Sequence, residues 1–115
     1  MQVSIKRVYE KASASDGKRI LVDRLWPRGV SKASAKIDIW LKEVSPSDKL
    51  RKWFGHDPKK WEEFQKRYRD EIKNGDAFSE LQKIAKKMKC TLVYGAKDEE
   101  HNDAVVLKML LEKGK

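Results

Sequence analysis

The chain has 115 residues, a formal net charge of +9 and 39% hydrophobic residues. Its length predicts one domain, residues 1–115, and its four tryptophans favour a folded core over a disordered polar chain. No apolar run approaches the ~20 residues of a membrane helix and no signal-peptide core begins the chain, so we expect no membrane partner.

Two strands are expected in the first third of the chain. Residues 3–10 alternate apolar and polar side chains, a pattern typical of a strand. After a small polar loop, residues 19–26 contain the uninterrupted apolar run Ile-Leu-Val, as in strands that are buried on both faces. Pro27 ends this strand because proline has no backbone N–H to donate. A short helical turn within residues 30–36 and an edge strand within residues 37–43 are expected next.

Helices are predicted in the middle of the chain. In residues 45–48, Ser45 is a candidate N-cap that is followed by a proline and an acid, which predicts a short helix. Asp57 and Pro58 begin a second helix in the same way, and Asp76 is the candidate cap of a third. We expect the second helix to pack on the sheet through one aromatic and apolar stripe, formed by Trp61, Phe64, Tyr68 and Ile72.

The last part of the chain predicts a strand and a helix. Residues 90–96 are nearly continuous in apolar side chains, and residues 97–102 form a polar loop. A final amphipathic helix is expected to end near Lys113 and Gly114. Buried strands separated by helices indicate an α/β fold, a single layered domain in which helices flank a small, largely parallel sheet.

The cysteine and histidine residues limit which disulfides and metal sites the chain can form. Cys90 is the single cysteine, which excludes an internal disulfide and favours a reducing, cytoplasmic location. Because Cys90 opens a strand, we expect it to be buried. Cys90, His56 and His101 are too widely separated for a zinc site. No dinucleotide, P-loop or serine-hydrolase motif is present, so we expect no metal and no cofactor.

The basic charge leaves two classes of partner open. Residues 1–36 alone hold nine basic and three acidic residues. Such an excess favours a small anionic, phosphate-like ligand or non-specific nucleic acid. The lysines within residues 83–89 are a candidate nucleic-acid contact, although a solvated helix end explains them as well. No segment resembles a DNA-recognition helix, so sequence-specific duplex binding is not expected.

The segment DRLWPRG, residues 23–29, predicts a site where a buried strand ends. Loops beyond the carboxyl ends of parallel strands commonly hold ligands, so this loop and residues 97–102 should lie at one edge of the sheet. Arg24, Arg28 and Lys97 would make that edge cationic, and the planar guanidinium group suits phosphate. A simple salt-bridged strand end is the structural alternative.

Four further polar residues are candidates for the same site. Asp23 and Asp98 are the candidate catalytic carboxylates, or the charges that balance the arginines. Asn102 is the candidate N-cap of the last helix, whose N-terminus attracts anions. His101 is a candidate ligand-binding group that can carry a proton near neutral pH.

Several motifs together resemble a known family. These motifs cover residues 3 to about 112, nearly the whole chain, and include KRVYE, ILVDRLWPRG, VSPSDKLRKWFGHDP and TLVYGAKDEEHNDAVVL. On them the chain resembles the small, YeaO-like branch of the DUF488 family. The resemblance implies an α/β fold but no established reaction, and on the family pattern Arg7 joins the site.

The larger DUF488 proteins have elements similar to both strand-end loops. Their D-V-R-x-x-P element resembles Asp23, Arg24 and Pro27, and their C-A-E-K-D-P element resembles the segment with Lys97 and Asp98. The cysteines of that element are absent here, so its thiol chemistry is not implied. We predict a basic, anion-binding cleft at the strand ends, in an enzyme for a phosphate-bearing or nucleotide-like substrate. The alternative is a non-enzymatic nucleic-acid-binding or regulatory module; the oligomeric state stays open.

Overall fold

The computed structural model describes residues 2–113. Its strands are β1 (Val3–Arg7), β2 (Lys18–Leu21), β3 (Ile39–Trp40) and β4 (Cys90–Tyr94). Its α-helices are α1 (Lys32–Ala35), α2 (Asp48–Phe54), α3 (Trp61–Ile72), α4 (Asp76–Lys87) and α5 (Asp103–Lys113). None of these helices is long and apolar enough to cross a membrane. The helix end expected at Gly114 lies outside the described residues.

All four strands are parallel, in the order β1-β4-β2-β3. Cys90 at the start of β4 pairs with Val3 on one side and with Lys18 on the other, so the three longer strands begin at the same level. The predicted α/β fold with a small parallel sheet is confirmed. Because β2 and β4 are parallel neighbours, the loops that follow them leave the sheet side by side at one edge.

The strands are shorter than the apolar pattern predicts. β1 ends at Arg7 because a turn follows, in which the Glu10 N–H donates to the Arg7 carbonyl at 3.1 Å. β2 ends at Leu21, although the Val22 N–H still donates to the Val93 carbonyl at 3.1 Å. The expected edge strand is confirmed as β3, which has two residues.

Two helix starts differ from the predicted caps. Ser47, not Ser45, caps α2, because its Oγ accepts a hydrogen bond from the Leu50 N–H at 3.1 Å. Ser45 instead ends a short 3₁₀ turn that precedes it. Ser47 Oγ also contacts the Glu71 carboxylate at 2.6 Å, which ties the start of α2 to α3. Asp76 is the first residue of α4 rather than its cap.

The main core lies between one face of the sheet and helices α2 to α5. Phe64 and Tyr68 of α3 are buried in it, as predicted, and the Tyr68 hydroxyl donates to the Val44 carbonyl at 2.5 Å. Trp61 is only half-buried and packs beside Phe54 and Phe64, with ring centroids 6.0 and 5.8 Å away. The predicted stripe therefore packs into the core through Phe64, Tyr68 and Ile72, with Trp61 at the rim.

A smaller cluster covers the other face of the sheet. It contains Leu21 of β2, Val93 of β4, Val8 directly after β1 and Ala35 of α1, with Trp26, Val30 and Ile37 packed against them. Cys90 is buried, as predicted, and burial raises the pKa of its thiol. The segment DRLWPRG therefore helps to close one face of the core and also forms the sheet edge.

Candidate functional site

Two tryptophans brace the loop after β2. The Trp26 indole N–H donates to the Val30 carbonyl at 2.7 Å, and the Trp40 indole N–H donates to the Asp23 carbonyl at 2.7 Å. The two rings meet edge to face, 5.6 Å between centroids. These contacts hold the backbone of Asp23 and Arg24 at the edge of the sheet.

Asp98 and Asn102 organise the loop after β4. The Asp98 carboxylate accepts hydrogen bonds from the backbone N–H groups of Glu100 (2.9 Å) and His101 (3.1 Å) and contacts His101 Nδ1 at 2.9 Å. These hydrogen bonds, that of Glu100 first, lower the pKa of Asp98. Asn102 Oδ1 accepts from the Val105 N–H at 3.0 Å, which confirms Asn102 as the N-cap of α5.

The Asp23 side chain joins the two loops. Its Oδ2 accepts a hydrogen bond of 2.8 Å from the backbone N–H of Gly95, the first residue after β4. A Cβ at position 95 would lie 3.3 Å from the same oxygen, so glycine permits this close approach. The expected meeting of the two loops at one sheet edge is confirmed by this contact.

A second carboxyl group lies against Asp23. Asp103, the first residue of α5, is half-buried and its side chain hydrogen-bonds with that of Asp23. Burial and the charge of Asp23 raise the pKa of Asp103 well above its usual range. Burial also raises the pKa of Asp23, against the lowering effects of Asp103, Gly95 and the charge of Arg51. Two adjacent carboxylates resist double ionisation, so the pair retains a proton to higher pH than separate carboxyls would.

The carboxyl pair lines a cleft of about 330 Å³ between the two loops and α2. The other charged or titratable side chains of the cleft are Arg24, Arg51, Lys52, His56 and His101. Ser45 and Asn102 also line the cleft, and its apolar lining residues are Leu25, Pro46, Phe54, Phe64 and Ala96. The cleft therefore combines cations, a carboxyl pair and apolar surface.

Arg24 has an unusual environment within this cleft. Its Nε is buried and has no hydrogen-bond partner among the described residues. Buried polar groups nearly always have a partner, and an unsatisfied donor costs about 1–3 kcal/mol. The Nη groups of Arg24 also make no hydrogen bond to the described residues, and unlike Nε they are accessible to a ligand in the cleft.

Some of the predicted site residues line the cleft and others surround it. Those in its lining are Asp23, Arg24, His101 and Asn102. Arg7 is adjacent, since its Nε donates to the Ala96 carbonyl at 2.9 Å. Asp98 holds His101 from outside the lining. Arg28 and Lys97 are exposed at the same edge but do not line the cleft.

Four charged or titratable residues of the cleft were not predicted from the sequence: Arg51, Lys52, His56 and Asp103. Arg51 and His56 belong to α2 and to the turn after it, and no strand end marks them as candidates. His56 has a left-handed backbone, with φ of 56°, which turns the chain after α2. Asp103 follows the predicted cap Asn102 directly, and an acid in the first turn of a helix is common for electrostatic reasons alone.

A small parallel α/β domain with a strand-end cleft is the class that these observations define. The family model DUF488-N3i, described as the inactive DUF488-N3 subclade, matches residues 2–114. The chain therefore belongs to the DUF488 family, and the resemblance inferred from the sequence is confirmed.

Two uncharacterised bacterial proteins are similar over nearly their whole length. The protein YeaO of Escherichia coli strain K12 is 44% identical over 108 residues, which cover 93% of this chain and 94% of YeaO. The protein Rv3073c of Mycobacterium tuberculosis strain H37Rv is 39% identical over 110 residues, which cover 96% and 93% of the two chains. No solved structure shows a significant match to the chain.

Proposed function

We propose that this protein binds a small phosphate-bearing anion in the cleft between the loops after β2 and β4. The observation that carries the proposal is the guanidinium group of Arg24, which lines the cleft and makes no hydrogen bond to residues 2–113. Phosphate oxygens are strong acceptors for a guanidinium group. Arg51 and Lys52, on the α2 side, add permanent positive charge.

The carboxyl pair does not cancel this positive charge. The three basic side chains of the lining, Arg24, Arg51 and Lys52, outnumber its two carboxyl groups, Asp23 and Asp103, whatever the protonation state of the pair. The cleft is thus net positive even with both histidines neutral. A cleft of one charge sign attracts ligands of the other.

The role proposed is binding without chemical turnover. The description of the subclade as inactive supports this, and both predicted catalytic carboxylates are engaged in hydrogen bonds within the protein. An enzyme for a phosphate-bearing or nucleotide-like substrate is the second candidate, because carboxyl pairs with raised pKa values occur in acid–base sites. Phosphorus NMR separates the two: an unchanged ligand spectrum after prolonged incubation supports binding alone, and a new phosphate signal supports the enzyme.

A non-enzymatic nucleic-acid-binding or regulatory role is the alternative, which the net charge of +9 favours. The exposed residues Lys86, Lys87 and Lys89 precede β4 and thus lie at the opposite edge of the sheet from the cleft. Polyanion binding there would weaken steeply as salt rises, through counterion release. It would also be lost on substitution of these lysines, which ligand binding in the cleft would not require.

We also propose that the protein works in the cytoplasm. Its single cysteine, Cys90, is a free and buried thiol. This usage is typical of reducing compartments. Cell fractionation with an antibody to the native protein tests the location.

Isothermal titration calorimetry with inorganic phosphate and ribose 5-phosphate, at fixed ionic strength, tests the binding proposal. Arg24→Gln and Arg51→Gln should each weaken binding about 10-fold or more, because a charge-assisted hydrogen bond contributes roughly 1.5–3 kcal/mol. Arg69→Gln is the matched control, because it removes the same charge from an exposed side chain of α3 outside the cleft. Absence of binding, or equal losses in all three variants, would contradict the proposal.

A further inference from the structure

The cleft offers two kinds of polar group to a single ligand. Arg24 and Arg51 can only donate hydrogen bonds, whereas the Asp23–Asp103 pair is rich in acceptor oxygens. A bare phosphate ion can satisfy the arginines, but it brings negative charge towards the carboxyl pair. The arrangement therefore favours a ligand that is anionic at one end and carries N–H or O–H donors at the other.

The apolar part of the cleft restricts that ligand further. Leu25 lines the cleft and is 66% exposed, and Pro46 lies in the same lining. A sugar phosphate is hydroxylated on all sides and gains little from apolar surface. A planar heterocycle has apolar faces and a polar edge, so it matches both the apolar lining and the carboxyl oxygens.

We propose that the ligand is a nucleoside monophosphate whose phosphate group binds Arg24 and Arg51 and whose amino-bearing base donates N–H groups to Asp23 and Asp103. This inference rests on the proposed function and names the ligand class of the same cleft. Aspartate side chains accept hydrogen bonds from the exocyclic amino groups of bases. Leu25 contacts a face of the base in this arrangement.

The size of the cleft is consistent with one mononucleotide. Its volume of about 330 Å³ is near the lower limit of the ~300–1,000 Å³ typical of small-ligand sites. A dinucleotide or a longer strand would extend beyond the cleft, so only one of its nucleotides could contact the carboxyl pair. Recognition of the base therefore operates on a single nucleotide.

Matched ligands test the proposal by calorimetry. Ribose 5-phosphate lacks the base, and purine ribonucleoside 5′-monophosphate has the ring without any amino group. Of AMP, GMP and CMP, at least one should bind 10-fold or more tightly than both of these reference ligands, since a site built around a hydrogen bond discriminates against ligands that lack the donor.

Two variants assign the effect to named residues. Asp103→Ala should reduce the ratio between the preferred nucleotide and the amino-free purine nucleotide to near one. Leu25→Ala, an exposed position that is tolerant of truncation, should weaken all base-containing ligands relative to ribose 5-phosphate. Glu100→Gln removes a nearby exposed carboxylate outside the cleft and should leave both ratios unchanged.

The outcomes separate this inference from the proposed function. If ribose 5-phosphate binds but no amino-bearing nucleotide binds more tightly, the nucleotide inference is wrong and the anion site stands. An unchanged ratio in a folded Asp103→Ala variant likewise rejects the role of the carboxyl pair. If no phosphate-bearing ligand binds, the proposed function fails and the inference fails with it.

Discussion

The carboxylate of Asp23 accepts a 2.8 Å hydrogen bond from the backbone N–H of Gly95 and so connects the ends of two adjacent parallel strands. This contact also holds Asp23 beside Asp103 at the start of α5. A strand end, a loop and a helix N-terminus therefore meet at one carboxyl pair. The cleft is built around this junction.

Replacing Asp103 by asparagine should stabilise the protein at neutral and basic pH. Burial and the charge of Asp23 raise the pKa of Asp103, so the folded chain binds this proton more tightly than the unfolded chain. Stability is therefore lost as pH rises from the ordinary value of 3.8 through the raised pKa. Asp103→Asn should melt at a higher temperature than the native protein at pH 8, with the difference shrinking towards pH 4.

Replacing Asp98 by asparagine should change the melting temperature in the opposite direction to Asp103→Asn. Hydrogen bonds from Glu100 and His101 lower the pKa of Asp98, so its contribution to stability is present above the ordinary value of 3.8 and lost as pH falls below it. Asp98→Asn should therefore lower the melting temperature at pH 8, with an effect that shrinks as pH falls below 3.8. Effects of the same sign in both variants would contradict the electrostatic account.

Glycine should be essential at position 17 and dispensable at position 29. Gly17 has φ of +67°, and a Cβ there would collide with the Lys89 carbonyl oxygen. Gly17→Ala should reduce the free energy of unfolding by about 2 kcal/mol or more, because backbone strain and a clash with backbone add together. Gly29 has φ of +76° with open space around it, so Gly29→Ala should cost only about 1 kcal/mol. Urea denaturation measures both, and equal losses would contradict the packing at Gly17.

A buried ion pair should make Asp16 important for stability. Its carboxylate contacts Arg19 Nη1 at 2.6 Å and Lys6 Nζ at 2.8 Å, and the Arg19 side chain is 4% exposed. Asp16→Ala should cost about 3–5 kcal/mol in urea denaturation, because it leaves a buried charge without its partner. Glu63→Ala, which breaks the exposed pair with Arg67, is the control and should cost less than about 1 kcal/mol. Similar losses in the two variants would show that Asp16 is not buried as described.

The sheet and one side of the site could be predicted from the sequence. Apolar runs around Ile20 and Leu92 mark strands that are buried on both faces, and strands of this kind are parallel. Parallel strands then bring the DRLWPRG loop and the loop with His101 to one edge, wherever the helices lie. Asp23, Arg24 and His101 therefore lie together in the lining of the cleft, as predicted.

The other side of the cleft could not be predicted because it depends on helix packing. Arg51 faces the cleft only because α2 packs on α3. The contact between Ser47 and Glu71 fixes the start of α2 against α3. Sequence periodicity gives the buried face of a helix but not its position around a sheet. Lys97 shows the converse: its loop is at the correct edge, yet local turns leave its side chain exposed outside the cleft.

A ¹H–¹⁵N correlation spectrum of the labelled protein, titrated with ribose 5-phosphate at physiological ionic strength, tests the central claim most directly. Binding in the cleft predicts saturable shift changes that are largest at the backbone N–H groups of Arg24, Gly95 and Asp103. Shift changes confined to residues 83–89, or spread evenly over the surface lysines, would contradict the claim and assign the positive charge to diffuse polyanion binding.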